Sequence, residues 1–135
     1  MTPAGFAKLY AVTAPILFAI DLVWLGLVAN QFYRAQLGDL MRPDPRWAAA
    51  ILFYLLYVAA LLVFAVLPGL EKASLSRAAV LGAGLGFICY ATYDLTNLAL
   101  VKGFPTIVAV VDIVWGAILS AGVAAVAYKL AGWVK

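Results

Sequence analysis

Histidine is absent from this chain, cysteine occurs once, and charged residues fill only 11% of its positions. Without histidine there is no haem site with histidine ligands and no ordinary histidine-rich zinc site. The lone Cys89 excludes an intramolecular disulfide and any CxxC redox pair. Charge is too sparse for a soluble domain, where about 25% charged residues is usual. No phosphate-binding glycine loop, nucleophile–base pair or metal-ligand spacing is present. An enzyme would have to work with Asp, Tyr and Thr alone, so the reading leans away from catalysis, and no cofactor is expected.

What the chain does contain is apolar. Its 135 residues are 67% hydrophobic, with a mean hydropathy of +1.08, against roughly 45–50% apolar in an average soluble domain. The sequence therefore predicts an integral membrane protein, all-α, folded as one membrane domain over residues 1–135. A span needs about 20 mainly apolar residues, and four segments qualify: residues 5–29, 47–67, 75–101 and 105–128. The first reads as a retained helix and not as a cleaved leader. Pro3 and Pro105 suit helix starts, and Pro68-Gly69 reads as a stop after the second span. Pro15 is expected to bend the first span ahead of Asp21. In the long first connection, Tyr33, Leu37, Leu40 and Met41 share a helical face, which fits a short interfacial helix; a plain solvated loop fits as well.

Three aspartates interrupt these spans: Asp21 in DLVWLG, Asp94 in DLTNLA and Asp112 in DIVWG. A carboxylate near the middle of a membrane helix costs roughly 2.5–3.5 kcal/mol on insertion scales. Spans one and three run in the same direction and span four returns, so connectivity puts all three acids at one level of the bilayer. Span three carries Gly82, Gly86, Tyr90 and Asp94 on one stripe, and span four carries Asp112, Gly116, Ser120 and Ala124. Small residues let membrane helices approach closely, so these faces are predicted to meet and to bring Asp94 beside Asp112. Asp21 is expected as a third wall.

One helical turn after each acid stands a donor: Trp24, Asn97 and Trp115, sharing a face with Asp21, Asp94 and Asp112 respectively. With Tyr90 and Tyr93 these eight residues form the predicted ligand-binding set. No Lys, Arg or His falls within the same apolar layer. Adjacent carboxylates without a cation must hold a proton or bind a cationic ligand. Bonding between helices is the plainer reading, but such bonds average under about 1 kcal/mol, less than the insertion cost of an acid.

Other residues have ordinary readings. Trp47, Trp133, Tyr33 and Tyr128 suit the membrane–water interface. Cys89 suits a small buried position, and Tyr54 and Tyr57 suit either the polar pocket or packing. The formal charge of +3 comes from cations at segment ends, which is no nucleic-acid patch. Lys8, Lys72, Arg77, Lys129 and Lys135 on the amino-terminal side slightly outnumber Arg34, Arg42, Arg46 and Lys102, which leans towards cytoplasmic termini. DLVWLGLVAN and DLTNLALVKG align, which suggests two helix hairpins in parallel repeat.

The segments DLVWLGLVANQFY, AAILFYLLYV, YATYDLTNLALVKGFP and VDIVWGAILSA, in this order, resemble a family of small four-helix bacterial membrane proteins of unknown function. The resemblance covers nearly the whole chain and implies the bacterial inner membrane. It brings no assigned catalytic residues. The sequence thus predicts a four-helix membrane bundle whose aspartate cluster binds or transports a proton, cation or small polar ligand. An accessory subunit of a larger membrane complex, or a lipid-modifying enzyme, are the alternatives. Besides the lipid bilayer, partners would be further copies of the chain or that complex.

Overall fold

The computed structural model describes residues 1–134; Lys135, counted above among the cations, lies outside them. Its elements are α1 (Pro3–Val28), α2 (Asn30–Leu37), α3 (Trp47–Glu71), α4 (Leu75–Leu100) and α5 (Thr106–Ala131), with no strand among the described residues. All of these but α2 are long and apolar enough to cross a bilayer. Large apolar side chains such as Leu27, Leu56, Phe64, Val80 and Leu100 point outward along them, as a lipid surround requires.

Local chemistry sets the helix ends. The Thr2 side chain accepts from the Gly5 amide with Pro3 in the first turn, and Ser74 accepts from the Arg77 amide. Pro105 caps α5 from an extended conformation. Pro68-Gly69, read as a stop, is not one: α3 continues to Glu71. The reason is a widened turn over Leu62–Val66, where the Leu67 amide bonds to the Leu62 carbonyl, five residues back. Such a turn shifts the hydrogen-bond ladder next to the proline, which lacks a donor of its own. The fourth span begins at Thr106 and ends at Ala131, beyond the expected Tyr128. In α1, Pro15 sits within a continuous α-helix to Val23, and the change of geometry comes later, over Trp24–Val28.

Each of α3 and α5 packs against both α1 and α4. The tightest contact is between α4 and α5, and it uses the small residues foreseen in the sequence. A Cβ added to Gly82 would lie 2.7 Å from the Ala124 Cβ and from the Ser120 carbonyl oxygen. One added to Gly86 would run into the Gly116 carbonyl and the Ser120 side chain, and one added to Gly116 into the Tyr90 ring. Leu9, Leu17, Val58, Leu61, Leu62, Val66, Val123 and Ala127 fill the half of the bundle nearer the termini and leave it dry. Tyr57 closes this core with a hydroxyl–hydroxyl bond to Ser120.

The close backbone approach of α3 to α4 comes from the later part of α3, from Leu62 onward, and just ahead of it the Tyr57 and Tyr90 rings still meet edge to face, 6.2 Å apart. Towards Trp47 the two helices separate, and that separation creates space on the acid-bearing half of the bundle.

The close approach makes a sharp prediction. Gly86→Ala should destabilise by about 1–3 kcal/mol, because the clash is with backbone that cannot swing away. Gly84→Ala on the same helix faces open space and should change stability by no more than about 0.5 kcal/mol. Unfolding in detergent micelles would check both, and equal losses would disprove the tight α4–α5 contact.

Candidate functional site: an intramembrane aspartate pair

Asp21, on α1, is buried and fully bonded. One of its oxygens accepts from Trp115 Nε1 at 3.0 Å and the other from the Tyr54 hydroxyl. Two neutral donors from two neighbouring helices satisfy this carboxyl without any cation. Just past it α1 widens, and the Ala29 amide bonds to the Trp24 carbonyl at 2.7 Å. The chain then turns into α2, which folds back over the bundle. Tyr33, Ala29 and Val108 form a small buried cluster there, with Leu37 and Met41 packed on it. Leu40, expected on the same face, is exposed because the chain has already tightened into a single turn at Gly38–Leu40.

Tyr33 reaches the second acid. Its hydroxyl donates to Asp112 Oδ1 at 3.1 Å and accepts from Trp24 Nε1 at 3.3 Å. Burial, followed by the adjacent Asp112 charge, pushes the Tyr33 phenol well above its ordinary range, so it remains a donor. The Trp24 and Trp115 rings stack face to face, 4.3 Å apart and 7° from parallel. The donor pattern expected along each helix is therefore exchanged between helices. Trp115 serves Asp21 and not its own Asp112, while Trp24 serves Tyr33 and not its own Asp21. Stacking across the α1–α5 contact carries each indole N–H past its own helix. Asn97 is likewise no partner of Asp94, whose oxygens meet no donor; its side chain lies near that of Tyr93, one turn earlier.

Asp94 is wholly inaccessible, and neither of its oxygens meets an N–H or O–H donor. Its polar neighbour is the Asp112 carboxyl, within hydrogen-bonding reach. Two carboxyls can bond to each other only with a proton between them. The α4–α5 contact thus does bring Asp94 and Asp112 together. Asp21 bonds to its own donors and to neither member of that pair. No three acids, cysteines or histidines converge as metal ligands among the described residues.

Two cavities meet at Asp112. A cavity of about 290 Å³ is lined by Asp21, Leu25, Phe53, Cys89, Tyr90, Tyr93, Asp112 and Trp115. A second, of about 500 Å³, runs beneath α2 and includes Asn30, Tyr33, Arg34, Trp47, Tyr54, Tyr93, Asp94 and Asp112. Arg34 Nε is bonded to Asn30 Oδ1 at 2.6 Å on the exposed side of α2. Of the eight residues predicted from sequence, Asp21, Tyr90, Tyr93, Asp112 and Trp115 line the first cavity and Asp94 the second. Trp24 is joined to them through Tyr33, while Asn97 lines neither cavity and lies beside Tyr93.

Two residues of the network were not in the predicted set. Tyr54 left the choice between pocket and packing open, and its depth from Trp47, matching that of Asp21 along its own span, was the usable signal. Tyr33 read as an interface anchor. Nothing local distinguishes an anchoring tyrosine from one whose helix folds back into the bundle.

Fold and site together define a four-helix integral membrane protein with an acidic centre inside one half of the bundle. The chain belongs to the family described as predicted membrane protein (DUF2177), whose profile matches residues 6–129. This bears out the resemblance drawn from the four sequence segments. Comparison with curated proteins and with solved structures returned no match.

The geometry separates the acids by experiment. At neutral pH the infrared carbonyl band of a protonated carboxylic acid should be present in the protein. It should vanish in Asp94→Asn and persist in Asp21→Asn; in Asp112→Asn it should persist as well, since Asp94 stays wholly buried with no cation beside it. A band that disappears only with Asp21 would reverse the assignment.

Proposed function

We propose that the protein binds a small cationic or proton-exchanging ligand at the Asp94–Asp112 pair. The observation that carries this reading is the state of Asp94: wholly buried, without a donor, and beside a second carboxyl. A buried, unpaired charge is strongly unfavourable, so the resting pair holds one proton and one negative charge between them. A cationic group arriving at Asp112 replaces that proton and releases it. Proton and ligand then compete for one site, which is the elementary requirement for exchange.

Asp21 has a different part in this scheme. Its two neutral donors hold it in place, and through Trp115 it fixes one of the stacked indoles. It is a positioning group beside the pair and not a third ligand. We further place the protein in the bacterial inner membrane with both termini in the cytoplasm, on the family resemblance and the slight excess of cations on that side.

Tetraphenylphosphonium, an organic cation that partitions into membranes, is a suitable probe. Its affinity should rise with pH, because deprotonating the pair exposes the charge it binds. Asp112→Asn should weaken binding by about tenfold or more, roughly 1.4 kcal/mol, and remove the pH dependence. Calorimetry in nanodiscs with a coloured pH indicator reads both affinity and proton release. Binding that ignores pH and survives Asp112→Asn would end this reading.

A further inference from the structure

The smaller cavity opens in an unusual direction for a polar site. Its outer rim is formed by Leu25 on α1, Phe53 on α3 and Tyr93 on α4, all exposed side chains within spanning segments. At that depth exposure means contact with acyl chains and not with water. The opening exists because α3 and α4 separate beyond the Tyr57–Tyr90 ring contact, towards Trp47. Behind the apolar rim lie Asp112, Asp21 and the Trp115 ring. The larger cavity, by contrast, runs out beneath α2 towards Asn30, Arg34 and Pro45 at the interface. One acid therefore faces two approaches of different chemistry.

We propose that the ligand is an amphiphile with a single apolar chain and a cationic head, reaching Asp112 from within the bilayer through the gap between α3 and α4. This rests on the cation-binding reading of the acid pair and adds the ligand's chemical class and route. Charge complementarity selects the head: the inner wall presents Asp112, the carboxyl that shares a proton with the otherwise donorless Asp94. Apolarity selects the rest, since Leu25, Phe53 and Tyr93 offer a chain a lipid-continuous wall. A free hydrophilic cation would have to cross acyl chains to use this opening, whereas an amphiphile is already dissolved there. The volume of about 290 Å³ is at the small end of ligand sites. It holds a head and the first part of a chain, with the remainder left in the bilayer.

Cys89 lines this cavity and is the protein's only cysteine, which provides a reporter without engineering. In nanodiscs an N-alkylmaleimide delivered through the lipid should label it in the ligand-free protein. Dodecyltrimethylammonium, below solubilising concentration, should slow labelling at least tenfold. Tetramethylammonium, with the same head and no chain, and dodecyl sulfate, with the same chain and an anionic head, should not. Asp112→Asn should abolish the protection. Phe53→Trp, which narrows the rim from the lipid side and leaves the acids untouched, should slow its onset.

Equal protection by tetramethylammonium would overturn the bilayer route while leaving the acid pair as a cation site. Equal protection by dodecyl sulfate would overturn recognition of the head. Should neither cation protect Cys89 in the folded wild-type protein, the amphiphile proposal fails; if tetraphenylphosphonium binding also fails, the cation site fails with it. A Cys89 that the lipid-soluble reagent cannot reach would show the gap to be closed and overturn the route.

Discussion

The close approach of α4 to α5 at Gly82, Gly86 and Gly116 is the contact on which the site depends. At Gly86 there is no room for even a methyl group against the facing backbone. Two helices pressed together this closely bring the rest of their stripes into contact as well, and two turns beyond Gly86 the stripe of α4 reaches Asp94. Because α5 runs antiparallel, Asp112 lies one turn before Gly116 at the same level. The costly juxtaposition of two carboxyls is therefore a consequence of packing that is favourable elsewhere on the same helices. Van der Waals contact between small residues is a principal source of helix association in a bilayer, where there is no hydrophobic drive between helices.

Around the pair, the protein satisfies the hydrogen-bonding capacity of its acids without using cations. Asp21 is satisfied by a tyrosine and an indole, Asp112 by a tyrosine, and Asp94 by nothing except its neighbour. Neutral donors stabilise a carboxylate without cancelling its charge. A lysine or arginine in their place would have quenched the site. The stacked Trp24 and Trp115 rings connect the two halves of this network, since each indole belongs to one helix and serves a group bound to another. Displacing one ring would disturb both acids, so the network behaves as a unit and not as three separate sites.

The two widened turns place the network. The one at Trp24–Val28 ends α1 just after Asp21 and leads into α2, whose Tyr33 returns to the acid layer. The one at Leu62–Val66 lets α3 carry Pro68 without ending, and beyond it the helix lies against α4. Dry packing is concentrated in the half of the bundle near the termini, and the cavities lie in the other half.

Composition alone determined that the chain spans a membrane, because no soluble fold could cover so much apolar surface. Connectivity then put three acids at one level, and the glycine stripes identified the α4–α5 contact, since both result from the 1.5 Å rise and the four-residue recurrence of a helix. Helix rotation about α1 and α3 was not legible in the same way. These spans are apolar on most sides and carry no glycine stripe like that of α4 to mark the packed face, so the roles of Tyr54 and of the exchanged indoles were decided by tertiary contact. The same holds for Tyr33, whose place depends on a turn where the backbone ladder slips by one residue. Sequence thus determined which acids share a level and which two meet. Only the tertiary structure decided that Asp21 is already satisfied, that Asp94 is not, and that the space before Asp112 opens to the bilayer, because donors and openings depend on how helices rotate and splay, which hydrophobic periodicity does not record.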